Sequence, residues 1–419
     1  MIEWHSMKPD SSQPQSNKFY GWKIVWALAI STTVAYGVLY YAFAVFVKAI
    51  ELELGWNRAQ TSGAVSLSFV IGALVSPLLG RLTDRHGARG IMTIGTVVAA
   101  LLVFAWSRVS SLPMLYLIFA ALGVTSSATF YDPAFTAVAV WFKRDRSRAL
   151  LIITLVAGLA STIFVPLSTF LLERIGWRDA IAVLAGFLLA TAPMLWMVLR
   201  RHPDDMDTTV DGLPVNLEIN SRPILDPPGT RDWIRSSSFW SLAIGFALAR
   251  LAVSTLAPHL VPLLRERGYS SAITATLAGS VGVLQLAGRL LIAPLTRIMS
   301  MTVLTAATFF VHGLGLVMLA TQTDAGVWVF IALYGSTNGA ITIARAALIA
   351  DLFDNRIYGA VSGGLSLVVG LTGAFAPFLA GTLHERTGDY QSTLWLLVAG
   401  IGIGTLVILG ARGQSKNPR

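Results

Sequence analysis

Apolar runs of about 20 residues, each long enough to cross ~30 Å of hydrocarbon, recur along the whole of this 419-residue chain. Inside a bilayer every backbone N–H and C=O must find a partner within the protein, so continuous runs of this kind specify membrane-spanning helices. Hydrophobic residues make up 54% of the chain and charged residues only 13%, against roughly 25% charged residues in soluble domains. A soluble fold could not hide that much apolar surface.

Charged and Gly/Pro punctuation divides the runs into twelve helices near 21–47, 59–80, 90–107, 112–140, 149–172, 179–199, 239–264, 271–295, 301–320, 325–350, 358–383 and 390–411. The one long break, 200–238, is rich in Pro and Asp and reads as a linker between six-helix halves at 21–199 and 239–411. Residues 1–20 and 412–419 are then short tails. The first 18 residues lack an apolar h-region beside a cleavage site, so no removable signal peptide is expected.

The net charge of +9 could suggest nucleic acid, but its distribution points elsewhere. With the N-terminus inside, 20 of the 31 Lys and Arg fall on the cytoplasmic side, 8 fall outside and 3 lie within spans. The positive-inside rule then places both termini in the cytoplasm, and a bacterial inner membrane is the expected setting. Cysteine is absent, which excludes disulfides, thiol nucleophiles and cysteine metal sites.

The halves resemble each other. LLERIGWR (171–178) returns as LHERTGDY (383–390), Pro166 as Pro377, Gly55–Trp56 as Gly268–Tyr269 and Leu82–Thr83 as Leu295–Thr296. A near-constant offset of 211–213 implies two parallel repeats about an axis along the membrane normal, with a substrate site between them near the midplane.

Three arginines interrupt the apolar helices: Arg250, Arg289 and Arg345. A charge at the bilayer centre costs from about 2.5 kcal/mol upward, so it is expected to face a watery cavity and meet an anion or a counter-ion there. Arg250 sits too far from either helix end to snorkel, whereas Arg345, near an inner end, suits gating or snorkelling at least as well as substrate contact. Asp132 is the one acid placed well inside a span. It could serve as counter-ion, protonatable coupling site or cap beside Pro133, and its repeat-equivalent lies close to Arg345.

Between the second and third helices stands Gly80-Arg-Leu-Thr-Asp84-Arg85-His-Gly87-Ala-Arg89. This resembles the G-x-x-x-D-R-x-G-x-R signature of the major facilitator superfamily, in the cytoplasmic loop where that family carries it. The resemblance implies an all-α membrane protein, with twelve transmembrane helices in two pseudo-symmetric six-helix bundles. It also implies that Gly80, Asp84, Arg85, Gly87 and Arg89 form a gating cluster that holds the cytoplasmic side closed; Arg345 joins the gating candidates by its place near an inner helix end. Asp84 is suited to pair with a basic neighbour and to cap a helix N-terminus. At the repeat position of Asp84 stands Arg297, so the second copy of the signature has degenerated.

Within the superfamily the chain is similar to the monocarboxylate porters and their oxalate/formate exchanger relatives. The similarity rests on Tyr20-Gly-Trp22, YYAFAVFVKAIELELGW (40–56), AVWFKRDRSRA (139–149), HLVPLLRERGYS (259–270) and DLFDNRIYGAVSG (351–363). It implies that Arg289 binds a substrate carboxylate, a task that suits a guanidinium's planar fork. That group also carries an aspartate one turn before the arginine and a lysine on the first helix, and here those positions hold Gln285 and Tyr41. Proton coupling by that route is in doubt.

The superfamily lines its cavity with helices one, four, seven and ten, which brings Tyr36, Tyr40, Tyr41, Tyr131, Tyr334 and Asn338 forward as further candidate contacts. Arg250 is expected to assist Arg289 or to pair with Asp132. His312, on a peripheral helix, suits a structural role. No Walker-type loop, paired-histidine metal motif or nucleophile elbow is present, so an enzyme is not expected and neither is a cofactor or metal.

The leading expectation is a monomeric secondary transporter of a small organic anion, foremost a monocarboxylate, with protons as a candidate coupling ion and lipid, not nucleic acid, as its surroundings. The alternatives are a proton-coupled exporter of drugs or hydrophobic metabolites, and a non-transporting receptor of the same fold.

Overall fold

The computed structural model describes residues 19–206, 208–212, 232–296 and 298–411. The expectations for most of the N-terminal tail, much of the linker, Arg297 and the C-terminal tail therefore fall outside the described residues.

Described residues form helices and turns, with no strand among them. The membrane-crossing helices are α1 (Gly21–Leu54), α2 (Arg58–His86), α3 (Ala88–Ser107), α4 (Leu112–Trp141), α5 (146–175), α6 (177–198), α7 (Ser237–Glu266), α8 (Ser271–Leu295), α9 (Met301–Ala320), α10 (Asp324–Leu352), α11 (Tyr358–Thr387) and α12 (Gln391–Leu409). Between α5 and α6 the only interruption is Gly176, whose φ of 75° turns the chain without breaking its hydrogen-bonded run. That turn accounts for eleven continuous apolar segments where the sequence pattern counts twelve.

Local chemistry fixes the ends. Asn57 and Gln60 form a reciprocal capping box at the start of α2, and the hydroxyls of Ser236, Ser270, Ser300 and Thr323 accept the first free amides of α7 to α10. The repeat is visible in the turns. Gly55 and Gly268 have φ of 70° and 86°, and Gly176 and Gly388 have 75° and 79°. A left-handed residue without a Cβ thus stands at the same two places in each half.

Helices α1–α6 pack mainly on one another, as do α7–α12. The two sets meet where α2 lies along α11 and α5 along α8. Among the described residues, the hydrogen bonds joining the two sets lie toward the face that carries residues 80–89, called here the loop face.

Small residues make that approach possible. A Cβ on Gly80 would stand 1.9 Å from the Gly359 carbonyl oxygen, and one on Gly363 would stand 2.2 Å from that of Ser76. Further from the loop face, Gly370 faces Ala73, where a Cβ would meet that alanine's own at 2.8 Å.

Gly80→Val tests this seam. Its side chain must part α2 from α11, so thermal unfolding should move to lower temperature by an amount corresponding to roughly 1–3 kcal/mol of overpacking. Single cysteines placed on the loop face of α11 should label faster with a membrane-impermeant thiol reagent.

Candidate functional site

Asp132 and Arg345 meet across the two halves. Arg345 Nη2 lies 2.7 Å from Asp132 Oδ1 and also donates to Ser366 Oγ at 3.0 Å. Ser366 in turn donates to Asp132 Oδ2 at 2.6 Å, and Ser362 donates to Oδ1 at 2.8 Å. The carboxylate of α4 is thus held by one cation from α10 and two hydroxyls from successive turns of α11. The backbone supports it too. Phe130 leaves the helical region (φ −82°, ψ −157°), so α4 restarts at Tyr131 and Asp132 occupies the first turn of the second segment. There it meets the positive end of a helix dipole. The side chains remain 24% and 22% exposed, so this pair is accessible, not sealed.

Sequence reasoning offered Arg250 as a partner of Asp132, and the structure corrects this: the carboxylate is taken by Arg345. The repeat relation was the better guide, since the two residues lie 213 positions apart. Ser362 and Ser366 were missed. Their spacing of four residues on one face of α11 was the available signal.

Arg289 is 7% exposed and has no carboxylate partner among the described residues. Its Nη1 donates to the Thr154 carbonyl at 2.6 Å, and its buried Nε has no hydrogen-bond partner. Thr154 belongs to the last turn before α5 breaks at Leu159, so the guanidinium lies at a helix C-terminal end, whose partial negative charge offsets part of its own. Gly158 provides the space, for a Cβ there would come 2.4 Å from Arg289 Nη1. Arg289 is therefore not at the lipid boundary but clasped between the halves. Tyr41 and Tyr131 are within its electrostatic reach.

The tyrosines gather at irregular backbone. Residues Gly37–Tyr41 form a π-bulge inside α1, a distortion frequent at functional sites. Tyr36 stacks on Phe130 at 4.2 Å and tilts against Tyr131 at 4.8 Å, while Tyr40 packs edge-on to Tyr41 at 5.0 Å. The bulge of α1, the break of α4 and the break of α5 thus converge beside Arg289, and the sequence pattern gave no sign of the first and third.

On the other side of the space, Gln285 and Asn338 are half-buried, with side-chain amides that have no partner among the described residues. The two stand together because the α8 backbone at Gln285 rests on Gly339 of α10. Tyr334 is buried, its hydroxyl 3.5 Å from the Val253 carbonyl of α7. His312 packs 5.0 Å from that ring and its Nδ1 lies 2.8 Å from Thr337 Oγ1. The Thr337 hydroxyl already donates to the Leu333 carbonyl, so Nδ1 is the donor.

At the loop face, Asp84 accepts the backbone amides of Gly359 and Ala360, each at 2.7 Å. It caps α11 across the halves. The basic partner expected for it is absent among the described residues. Arg85 is exposed with no partner among the described residues, and Arg89 works within its own half, donating to the Trp196 carbonyl at 2.8 Å with its guanidinium 4.1 Å over the Trp196 ring. Gly87 ends α2 with φ of 80°. Beside this cap, Arg146 is buried with its guanidinium on the carbonyls of Phe142 and Ala139 and on Asn355 Oδ1 of the other half. Arg146 is thus a structural bridge between the halves.

Three comparisons bear on these features. The model of the family described as "Major Facilitator Superfamily" matches residues 28–344. "Monocarboxylate transporter 13" of Bos taurus is 25% identical over 406 residues, covering 93% of this chain and 89% of that protein. "Monocarboxylate transporter 11" of Homo sapiens is 25% identical over 415 residues, covering 97% and 85%. Among solved structures, a bacterial homologue of the iron transporter ferroportin in its outward-facing state superposes with a TM-score of 0.74 at 16% identity, covering 94% of this chain and 99% of that one.

The cross-half ion pair gives a direct test. Removing one partner leaves the other charge unmatched in a half-dry site, so Asp132→Ala and Arg345→Ala should each destabilise the protein by roughly 1–3 kcal/mol, partial exposure keeping the cost below that of a sealed pair. The double variant should recover at least about 1 kcal/mol of the summed loss in a thermal-denaturation cycle. Strict additivity would show the pair to be uncoupled.

Proposed function

The chain belongs to the major facilitator superfamily of transporters, and on that premise we propose that it is a secondary transporter of a small organic anion, with a monocarboxylate as its minimal substrate. One observation carries the reading. Arg289 is a buried guanidinium with a free Nε–H and, among the described residues, no carboxylate partner, on the wall between the halves. A permanently charged group in a low-dielectric site is best satisfied by an anion, and a carboxylate matches its fork.

The surrounding groups fit such a ligand. The amides of Gln285 and Asn338 offer further hydrogen bonds, and the Tyr36–Phe130–Tyr131 stack offers an apolar wall for a hydrocarbon body. The names of similar proteins, the monocarboxylate transporters of Bos taurus and Homo sapiens, support the same class.

On this reading the loop face is cytoplasmic, the conformation is outward-facing, and alternating access exchanges the α2–α11 and α5–α8 contacts for contacts on the opposite face. Two latches of different chemistry hold the present state, the Asp84 cap on α11 and the Asp132–Arg345 pair.

Uptake of labelled lactate or butyrate into proteoliposomes tests the reading. Arg289→Gln should reduce saturable uptake by at least about tenfold, as loss of a charge-assisted hydrogen bond does, and Arg289→Lys should restore only part of it because the fork is lost. Saturable uptake unchanged in Arg289→Gln would remove the anchor from the mechanism.

A further inference from the structure

Arg250 stands 13 residues from one end of α7 and 16 from the other, roughly 20 Å of helix on either side at 1.5 Å per residue. Neither end is within reach of its side chain. It is exposed, and among the described residues it has neither an ion pair nor a hydrogen bond. A guanidinium at that depth is tolerated where it borders a hydrated space.

The packing shows which space this is. A Cβ on Gly373 of α11 would lie 2.8 Å from Arg250 Nε and 3.1 Å from Ser254 Oγ. Three residues earlier on α11, Gly370 meets Ala73 of the opposite half. Arg250 therefore lies just beyond the point where the closed seam between the halves ends.

Helix α10 relates Arg250 to Arg289. Tyr334 reaches α7 at Val253, three residues from Arg250, and Gly339 abuts α8 at Gln285, four residues from Arg289. Asn338 lies between, one turn on from Tyr334. The two arginines thus stand on helices that both contact α10 around Asn338, Arg250 deeper in its helix than Arg289.

Charge balance completes the argument. Asp132 is already occupied by Arg345, Ser362 and Ser366, and Asp84 by the amides of α11. Neither Arg250 nor Arg289 has a carboxylate partner among the described residues. Two guanidinium charges therefore border the space between the halves with no carboxylate partner among the described residues, and a monocarboxylate supplies only one.

We infer that Arg250 is a second anion-binding point of this cavity, and that the protein prefers carboxylates bearing a second acidic group to their monoacid counterparts. The inference rests on the reading of Arg289 as the first anchor. Ser254, whose Oγ borders Gly373 beside Arg250 Nε, is the hydroxyl nearest to help hold the second acidic group.

The test is calorimetric titration of the purified full chain in detergent with two length-matched pairs, butyrate against succinate and pentanoate against glutarate. The unmodified protein should bind at least one diacid about tenfold more tightly than its monoacid. Arg250→Gln, or Arg250→Met should the first variant fold poorly, should abolish that preference while leaving monoacid affinity within about twofold, the scatter usual for surface substitutions away from a contact. Equal binding of both pairs by the unmodified chain would overturn the inference. So would a preference that survives both Arg250 variants, or a parallel loss of monoacid and diacid binding in them. Arg289→Gln separates the two claims: monoacid binding that persists in it defeats the anchor, whereas its loss there leaves the anchor standing whatever Arg250 shows.

Discussion

A guanidinium cannot shed its proton, so each arginine inside an apolar slab must be neutralised by its surroundings or kept wet. This chain uses a different solution at each of three depths. Arg345 has a carboxylate and a hydroxyl. Arg289 has a carbonyl just before the interruption of a helix from the other half. Arg250 has a glycine-lined notch and open space. The first two solutions draw their neutralising groups from the opposite bundle, so the cost of burying charge is offset only while the bundles stay together. Electrostatics and conformation are therefore one problem in this molecule.

The two halves share turns and helix order but not regularity. The N-terminal half carries the π-bulge of α1 and the interruptions at Phe130 and Leu159, whereas α8 and α10 run unbroken beside them. Irregular backbone on one wall presents tyrosine rings, a helix N-terminus and a helix C-terminus to the interior. The straight opposite wall presents arginines and amides. Where the walls touch, glycines replace side chains, so main chain meets main chain at Gly80 and Gly359. Contacts of that kind have little tolerance for displacement and separate as units.

Much of this was legible in the sequence because it follows from period and composition. The helices, the repeat and the depth of Arg250 needed only hydropathy and offsets, and the positive-φ glycines fall where the repeat aligned them. The pairing of Asp132 was legible in principle, from the offset that set it near Arg345, but Arg250 stayed open as a partner because sequence carries no azimuth. Asp84 was expected to pair with a base and to cap a helix N-terminus; it caps α11 through two amides, and which backbone it would meet could not be read from a loop motif. The break of α5 at Leu159 follows no proline and was invisible, although it is what makes room at Gly158 for Arg289.

The pairing of positions 132 and 345 also bears on descent. If the halves arose by duplication, these residues descend from a single ancestral site close to the twofold axis, where a protomer meets its own copy. In a dimer of identical subunits that site would have set acid against acid or base against base at contact distance. An attractive bond there could arise only after the copies were joined in tandem and free to diverge. The bond thus records a loss of symmetry, and it fixes the two bundles as complements that can no longer stand in for one another.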